Sequence, residues 1–385
     1  MALRKVIERL VQGQCPMPGH IPSGLLKSLA GLSHARGKVS RLSPLERVIT
    51  SLHHKEPDQV PVAPITNAAA RRIIGVSFPD YSRSAEKAAE VFCASVDFLG
   101  AELIVLLLDL SVEAADFGQE MIYPENSTAH PNYLNPWIRD VDDYLKIKPI
   151  DFRSQAGRMN ELVKLCDIMT RRVGWKAVVS GFVYGPLGVL SMMRGAGKFF
   201  KDCLNYPNHV RKACAAITET LVDFTRAQCE KGVQAVTIDT LYASLNALPK
   251  KTWEELEGPF VREIAACIRE SGGFVGIHNC GHGLYFDAQI RSMEPAFISF
   301  AHLPDDCSSP KELKEKYGEV VTMVGHIPTP LLVNGTPAEV MEACARQIDI
   351  LGRNGGYVLA PGCEYPPNIS LDNAFAMIKA AEKYS

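Results

Sequence analysis

The sequence predicts an α/β fold, a (β/α)8 barrel of the TIM type with an N-terminal helical arm and a loop-rich insertion after the second strand. Short apolar runs alternate with longer amphipathic segments, which is the order expected of βα units around a parallel sheet. Eight such runs can be counted. The length of 385 residues is also sufficient for one large α/β barrel, which typically needs about 250 residues or more.

Residues 1–41 are expected to form an arm outside the barrel. They combine a short amphipathic helix with a connector rich in glycine, proline and serine, and they carry no evident chemistry. We interpret them as an arm that packs on the surface or on a partner, with a disordered tail as the alternative. The predicted barrel domain covers residues 42–385. It opens with Ser43 and Pro44, an N-cap followed by proline, which predicts a helix to Leu52.

Eight strands and six crossover helices are predicted along the barrel domain. The runs that predict the strands are 60–65, 102–108, 177–183, 235–240, 274–279, 297–302, 320–327 and 357–360. The predicted helices are 84–99, 155–172, 209–231, 253–271, 309–317 and 337–354. The insertion, residues 112–150, interrupts the second unit with prolines and polar connectors. In such a barrel, active-site residues come from the carboxyl ends of the strands.

The composition excludes some classes of function. Hydrophobic residues make up 46% of the chain, charged residues 22%, and the net charge is −2. General electrostatic binding to nucleic acid or to an anionic membrane is therefore not expected. The longest apolar run, 103–108, is far too short to cross a bilayer. Eleven scattered cysteines without an apolar signal segment predict a reducing, cytoplasmic location.

Three soft metal ligands fall at the ends of predicted strands. His278 and Cys280 lie two positions apart, and residues i and i+2 of an extended segment point to the same side. Cys363 follows the last predicted strand and can supply a third donor. Imidazole and thiolates suit zinc, and three protein ligands with an open fourth position are typical of a catalytic site. The alternative is that both cysteines are buried hydrophobic residues. The fourth ligand would be Glu364 or water.

Other polar residues at predicted strand ends are candidates for catalysis or binding. Asp239 can position a substrate or accept a proton, or it can cap the next turn. Tyr242 and Ser244 lie just beyond it and are candidate cofactor-binding residues. Gly185 is a third, because glycine lets backbone amides approach a ligand, although a plain turn is the alternative. His326 is a candidate catalytic group, with a satisfied, partly buried histidine as the alternative.

Several motifs point to a known family. They are residues 43–62 with Glu56-Pro57-Asp58-Gln59-Val60-Pro61, Asp116-Phe117-Gly118, Gly185-Pro186, Ile277-His278-Asn279-Cys280-Gly281, Met323-Val324-Gly325-His326, Gly335-Thr336-Pro337, and Gly355-Gly356-Tyr357 through Gly362-Cys363. From about residue 42 onward the chain resembles the uroporphyrinogen decarboxylase superfamily. Within it, the chain is similar to the zinc-dependent corrinoid methyltransferase branch that includes methylcobalamin:coenzyme M methyltransferases.

The resemblance implies a zinc-dependent methyltransferase in which His278, Cys280 and Cys363 hold Zn2+. It also implies a methyl-corrinoid supplied on a corrinoid-binding partner protein, a thiol or tetrahydrofolate-type methyl acceptor or donor, and a monomer or homodimer. The segment after the first predicted strand lacks the Gln-Ala-Gly-Arg pattern of the family's decarboxylases. Because this pattern is absent, a metal-free decarboxylase of uroporphyrinogen III is the alternative and not the favoured function. A non-catalytic corrinoid-handling barrel is a third hypothesis. After the seventh predicted strand, where the family usually has Gly-Asn, this chain has Gly325-His326. This difference could alter the pocket for the methyl acceptor.

Overall fold

A curled sheet of seven parallel strands forms the centre of the protein. The computed structural model describes residues 2–385, with side chains from residue 4 onward. The seven strands pair in sequence order, as the alternation of apolar runs and helices predicts. They are β1 (Leu103–Val105), β4 (Val178–Tyr184), β5 (Ala235–Asp239), β6 (Phe274–Asn279), β7 (Phe297–Phe300), β8 (Thr322–Ile327) and β9 (Tyr357–Pro361). Within the insertion, β2 (Met121–Ile122) and β3 (His130–Pro131) form a separate antiparallel ribbon.

The barrel is closed by a segment that is not a regular strand, so the prediction of a full strand at residues 60–65 was wrong. Val62 forms a single parallel bridge with Leu359 of β9. The N–H of Leu359 donates to the carbonyl of Pro61 at 2.8 Å, and the N–H of Glu102 donates to the carbonyl of Val62 at 2.9 Å. The segment therefore joins β9 to β1. Pairing extends no further because Pro61 and Pro64 have no N–H to donate.

Eighteen α-helices lie in the part of the chain that the structure describes. They are α1 (Ala2–Val11), α2 (Ser23–Gly37), α3 (Pro44–Leu52), α4 (Arg71–Ile74), α5 (Phe78–Arg83), α6 (Ala85–Leu99), α7 (Val112–Asp116), α8 (Arg158–Val173), α9 (Pro186–Arg194), α10 (Ala196–Asn205), α11 (Pro207–Glu230), α12 (Lys250–Leu256), α13 (Gly258–Glu270), α14 (Phe286–Met293), α15 (Pro310–Tyr317), α16 (Thr329–Asn334), α17 (Pro337–Gln347) and α18 (Asp372–Tyr384). Spanning a lipid bilayer would need a longer or more apolar helix than any of these.

Two predicted helices differ from the observed ones. The segment predicted as one helix at 253–271 is divided between α12 and α13. Pro259 stands in the first turn of α13, and a proline has no N–H with which to continue the hydrogen-bond ladder of α12. The segment predicted as one helix at 337–354 is α17 followed by a π-helical turn, Ile348–Gly352.

All strands of the main sheet run in the same direction, so the barrel has two distinct ends. We call the end at which the carboxyl ends of the strands meet the mouth, and the opposite end the base. The register places Asp239 of β5 beside His278 of β6 at the mouth. It also places His326 of β8 beside Ala360 of β9.

The N-terminal arm packs against the base. Met17 is buried, and the N–H of Gly19 donates to the carbonyl of Gly272 at 2.7 Å, just before β6 begins. The His20 ring bonds the carbonyl of Ser271 at 3.1 Å. Arg9 donates to the carbonyl of Cys229 at 2.8 Å, near the end of α11. These contacts fix the arm on the barrel, whereas the boundary between an arm and a barrel domain stays a prediction.

A buried ion-pair network also lies at the base. The guanidinium of Arg47, on α3, donates two hydrogen bonds of 2.9 Å to the carboxylate of Asp58 and a third to Glu102. The other oxygen of Glu102 accepts the N–H of Val62 at 2.9 Å. Burial nevertheless raises the pKa of Glu102 to about 7. The network therefore ties the closing segment to both α3 and β1.

Candidate metal centre at the barrel mouth

Three side chains converge at the mouth although they are distant in the sequence. His278 lies near the end of β6, Cys280 is the first residue after that strand, and Cys363 follows β9. One ligand atom from each lies within 4.8 Å of the others, which is a spacing that one ion can bridge. A set of one imidazole nitrogen and two sulfurs suits zinc, and it leaves a fourth tetrahedral position open.

Cys363 and its two neighbours influence one another's protonation. The neighbouring Cys280 and His278 side chains lower the pKa of the Cys363 thiol, against the opposing effect of burial. The bond to Cys363, together with burial, raises the pKa of Cys280. Burial opposes protonation of His278, but the bond to Cys363 and its charge raise the pKa of the ring. Cys363 is therefore the thiol of the pair that ionises more readily, and metal binding would displace the remaining protons.

The orientation of the His278 ring is fixed by Ser299 of β7. The ring Nδ1 lies 3.0 Å from the Ser299 Oγ, which leaves Nε2 as the ring nitrogen available to a metal. A hydrogen bond on the far nitrogen is the usual way in which proteins orient a metal-binding histidine. Sequence reasoning missed Ser299. The available signal was a polar residue within the apolar run Phe297–Phe300.

A small cavity of about 110 Å3 opens beside the ligands. It is lined by Ile65, Asn67, Val105, Leu107, Leu110, Phe182, Thr237, Asp239, Leu241, His278, Cys280, Ser299, Cys363 and Glu364. Most of the wall is apolar.

Two carboxyl groups face this cavity in addition to the three ligands. Burial raises the pKa of Asp239 to about 6, and its Oδ1 accepts the N–H of Leu241 at 3.1 Å. Burial raises the pKa of Glu364 to about 8, and its Oε1 accepts the N–H of Ala68 at 3.2 Å. Both carboxyls keep an oxygen available for a ligand or a proton.

The family model described as uroporphyrinogen decarboxylase (URO-D) matches residues 43–384, nearly the whole chain. The chain belongs to this family. Its relatives include the methylcobamide:CoM methyltransferase MtaA of Methanosarcina barkeri, which is 22% identical over 88% of this chain and 97% of that protein. The methylcobamide:CoM methyltransferase MtbA of Methanosarcina acetivorans is 21% identical over 90% and 99%. The uroporphyrinogen decarboxylase of Aliarcobacter butzleri is 22% identical over 80% and 88%.

A solved structure shows the same fold. The methyltransferase from Methanosarcina mazei superimposes with a TM-score of 0.75 at 21% identity, covering 89% of this chain and 99% of that one. Sequence identity to the named methyltransferases and to the named decarboxylases is similarly low. Overall identity therefore does not distinguish the two activities, and the residues of the site must be compared instead.

Gly185 packs closely against neighbouring residues of the barrel. Its N–H donates to the carbonyl of Asp239 at 2.9 Å, which ties the end of β4 to the end of β5. A Cβ at this position would lie 2.5 Å from the carboxylate of Glu257, so a larger residue would clash. Gly185 does not line the cavity, and its assignment to cofactor binding stays a prediction.

Tyr242 and Ser244 also lie outside the cavity lining. Tyr242 is buried and packs edge-on against Phe199, with 5.4 Å between ring centroids. The Ser244 hydroxyl donates to the carbonyl of Leu241 at 2.9 Å. These contacts shape the loop after β5, whose residue Leu241 does line the cavity. A role of either residue in cofactor binding stays a prediction.

His326 is separate from the three ligands. Its ring lies 5.0 Å from that of Phe300, and its main-chain N–H donates to Gln347 at 2.9 Å. Burial lowers the pKa of the ring to about 4, so it is neutral at pH 7. Its Nε2 is buried without a hydrogen-bond partner among the described residues. His326 is not a cavity residue, and its catalytic assignment stays a prediction.

A second group of possible metal ligands carries its own counter-charge. Asp287, Asp305 and Asp306 also bring oxygen atoms within 4.8 Å of one another. The ammonium of Lys250 lies 2.9 Å from carboxylates of both Asp287 and Asp305, and Asp306 pairs with Lys316. These ion pairs account for the cluster without a metal.

Proposed function

We propose that the protein is a zinc-dependent methyltransferase that moves a methyl group between a corrinoid carried on a partner protein and a small molecule of thiol or tetrahydrofolate type. The observation that carries this proposal is the convergence of His278, Cys280 and Cys363 within 4.8 Å, next to a small apolar cavity. A structural zinc site has four protein ligands, whereas a catalytic one has three and an open position.

The residues present fit zinc chemically. Two thiolates and a neutral imidazole balance the charge of Zn2+, and both sulfurs are partly buried with no disulfide between them. When bound there, zinc supplies an open position that holds a thiol ionised near pH 7.

The chain's own side chains have distinct tasks in this proposal. Ser299 holds the His278 ring through Nδ1, so that Nε2 stays directed to the metal position. The apolar wall, which includes Phe182 and Leu241, excludes water from the reacting groups. The Asp239 carboxylate, with a pKa of about 6, accepts the proton that the incoming thiol loses.

The comparisons support methyl transfer and a corrinoid partner. Two of the relatives that match nearly all of this chain are named methylcobamide:CoM methyltransferases. A decarboxylase acting on a tetrapyrrole would need cationic groups for its several carboxylates. Among the described residues, those that line the cavity include no arginine or lysine, so no feature of the cavity favours the decarboxylase.

The proposal is tested by metal analysis combined with a methyl-transfer assay. We expect about one zinc per purified chain, and consumption of methylcobalamin in the presence of a thiol or a reduced folate. Removal of zinc with a chelator should abolish transfer, and added zinc should restore it. Turnover of uroporphyrinogen III by the chelated protein would contradict the proposal and favour the decarboxylase. Binding of methylcobalamin without any turnover would favour a corrinoid-handling protein.

A further inference from the structure

We propose that a second cleft, at the outer edge of the mouth, binds the oxyanion of a carboxylate or phosphate group. This outer cleft has a volume of about 470 Å3. Its charged and hydrogen-bonding wall includes Ser82, Arg83, Asp116, Tyr123, Arg158 and Glu161. The described residues that line it do not overlap with those that line the cavity beside the candidate metal ligands. The inference therefore goes beyond the proposed function and depends neither on zinc nor on methyl transfer.

The outer cleft lies between the end of α5, the insertion and the first turn of α8. Helix α8 precedes β4, so it runs from the mouth back to the base, where that strand begins. Its first turn is therefore on the side of the mouth. The amino end of a helix is the positive end of its dipole, which favours a negatively charged ligand there.

Two arginines bring guanidinium groups to the outer cleft. The guanidinium carbons of Arg83 and Arg158 lie 5.2 and 5.6 Å from the centre of the Tyr123 ring, so both groups flank the same ring. Arg83 is exposed and forms no ion pair among the residues that the structure describes. A guanidinium matches the geometry of a carboxylate or a phosphate. Arg83 can therefore supply the charge that such a group needs.

Two buried groups of the outer cleft have no hydrogen-bond partner in the described part of the chain. They are the Ser82 hydroxyl and the Nε of Arg158, and Ser82 is only 1% exposed. The two residues are adjacent, because Nη2 of Arg158 donates to the carbonyl of Ser82 at 3.1 Å. Buried polar groups are rarely left unpaired in folded proteins. Both of these groups can donate a hydrogen, so they suit a ligand that accepts one.

The other nitrogens of Arg158 are already used. Nη1 donates to one oxygen of Asp109 at 3.0 Å, and Nη2 donates to the other. Asp109 is buried and neutralises the charge of Arg158. The pair holds the guanidinium in place and leaves Nε as its remaining donor. In this arrangement Arg158 contributes a hydrogen bond, whereas Arg83 contributes the net positive charge.

The two carboxylates of the outer cleft are engaged by the protein. Both oxygens of Asp116 accept backbone N–H groups at the start of α8, at 2.8 and 2.9 Å. Glu161 accepts the N–H of Ala85 at 2.8 Å, and its other oxygen lies 3.8 Å from the Lys164 ammonium. The capacity of these carboxylates to accept hydrogen bonds is thus largely used, whereas donors remain unpaired. This imbalance favours an anion over a cation.

The first experiment titrates the full-length protein, as purified, with inorganic phosphate, acetate and tetramethylammonium by calorimetry. We expect the two anions to bind and the cation not to bind. Arg83→Met should weaken phosphate binding by about tenfold or more. The matched control is Arg211→Met, which alters an exposed arginine of α11 outside the outer cleft and should keep the wild-type affinity. Equal affinities in the two variants, or no binding of either anion at about 100 mM, would overturn the inference.

Ser82→Ala tests the buried donor. The variant loses a hydroxyl that has no partner within the described chain, so the free energy of unfolding should stay unchanged. Phosphate affinity should nevertheless fall about tenfold, because a hydrogen bond to a charged group is lost. A variant that is less stable but binds phosphate normally would show that the hydroxyl has a structural role, and it would contradict the assignment of Ser82 to the site.

A competition assay distinguishes two sources of the oxyanion, a separate metabolite and the far end of a methyl acceptor. Phosphate is added to methyl-transfer reactions with a reduced folate, which carries carboxylates, and with 2-mercaptoethanol, which carries no charge. Inhibition of the folate reaction alone assigns the oxyanion to the substrate, and no inhibition of either reaction assigns it to a separate ligand. Equal inhibition of both that persists in Arg83→Met would place phosphate at the metal and count against the inference. If no methyl transfer occurs, the proposed function fails while the calorimetric result stands.

Discussion

The base and the mouth of the barrel both bury ionisable side chains, but they leave them in different states. At the base, Arg47 donates to Asp58, to Glu102 and to the carbonyl of Leu42, so the network is satisfied within the protein. At the mouth, the Asp239 carboxyl accepts one backbone hydrogen bond and has an oxygen to spare. The contrast shows that fully paired groups hold the fold together, whereas groups with spare bonding capacity mark the place where a ligand is expected.

The largest effect is expected at the mouth, from Cys363→Ser. Loss of one of three ligands should lower zinc affinity by about 1,000-fold or more and abolish methyl transfer, while the free energy of unfolding of the metal-free protein changes little. Zinc content after dialysis and chemical denaturation measure the two effects. The matched control is Cys93→Ser, a partly exposed cysteine of α6, which should keep its zinc. Retention of zinc by the Cys363 variant would contradict the statement that the mouth, unlike the base, is a ligand site.

The opposite pattern is expected at the base, from Arg47→Met. Removal of the guanidinium leaves Asp58 and Glu102 without their buried counter-ion, which should cost about 3–5 kcal/mol of unfolding free energy. The folded fraction should still bind zinc with wild-type affinity. Urea denaturation and zinc titration test both statements.

Arg36→Met is the control for that experiment. Arg36 also pairs with a carboxylate, that of Glu46, but this pair is half exposed, and its loss should cost no more than about 1 kcal/mol. If the two variants have the same free energy of unfolding, the buried network contributes no more than a surface ion pair. The claim that paired groups at the base stabilise the fold would then be wrong.

A smaller effect is expected from Ser299→Ala, which sharpens the comparison within the mouth. The His278 ring should keep its place as a ligand but lose the hydrogen bond at Nδ1, so that zinc affinity falls about 10- to 100-fold. Competition with a chelator of known affinity measures the change. Ser180→Ala removes another buried strand hydroxyl, one bonded to Thr237, and should leave zinc affinity within about threefold. Identical affinities in the two variants would show that Ser299 does not position the ring.

Much of the fold could be predicted from the sequence because its elements repeat a simple pattern. The buried runs that form β4 to β9 are apolar and of strand length, and they fall in the predicted order. The closing segment misled the prediction because its apolar residues resemble a strand, whereas Pro61 and Pro64 limit its backbone pairing to one bridge. The division between α12 and α13 was overlooked because the apolar spacing continues past Pro259.

The candidate site could be predicted in part. The positions of His278, Cys280 and Cys363 at strand ends were sufficient to expect them at one end of a barrel, and the structure brings them together. The contribution of Ser299 depends on the packing of β7 beside β6, which no local pattern reveals. Similarly, the pairing of Arg47 with Glu102 joins residues 55 positions apart and follows only from the closed barrel.

The position of Cys363 has a consequence for the timing of assembly. His278 and Cys280 leave the ribosome about eighty residues before Cys363, and Cys363 follows the last strand of the sheet. If the three residues hold zinc as we propose, the ion cannot serve as an early nucleus for the growing chain, because its full set of donors exists only once β9 has been added. Tight retention of zinc would accordingly report that a newly made molecule has finished folding.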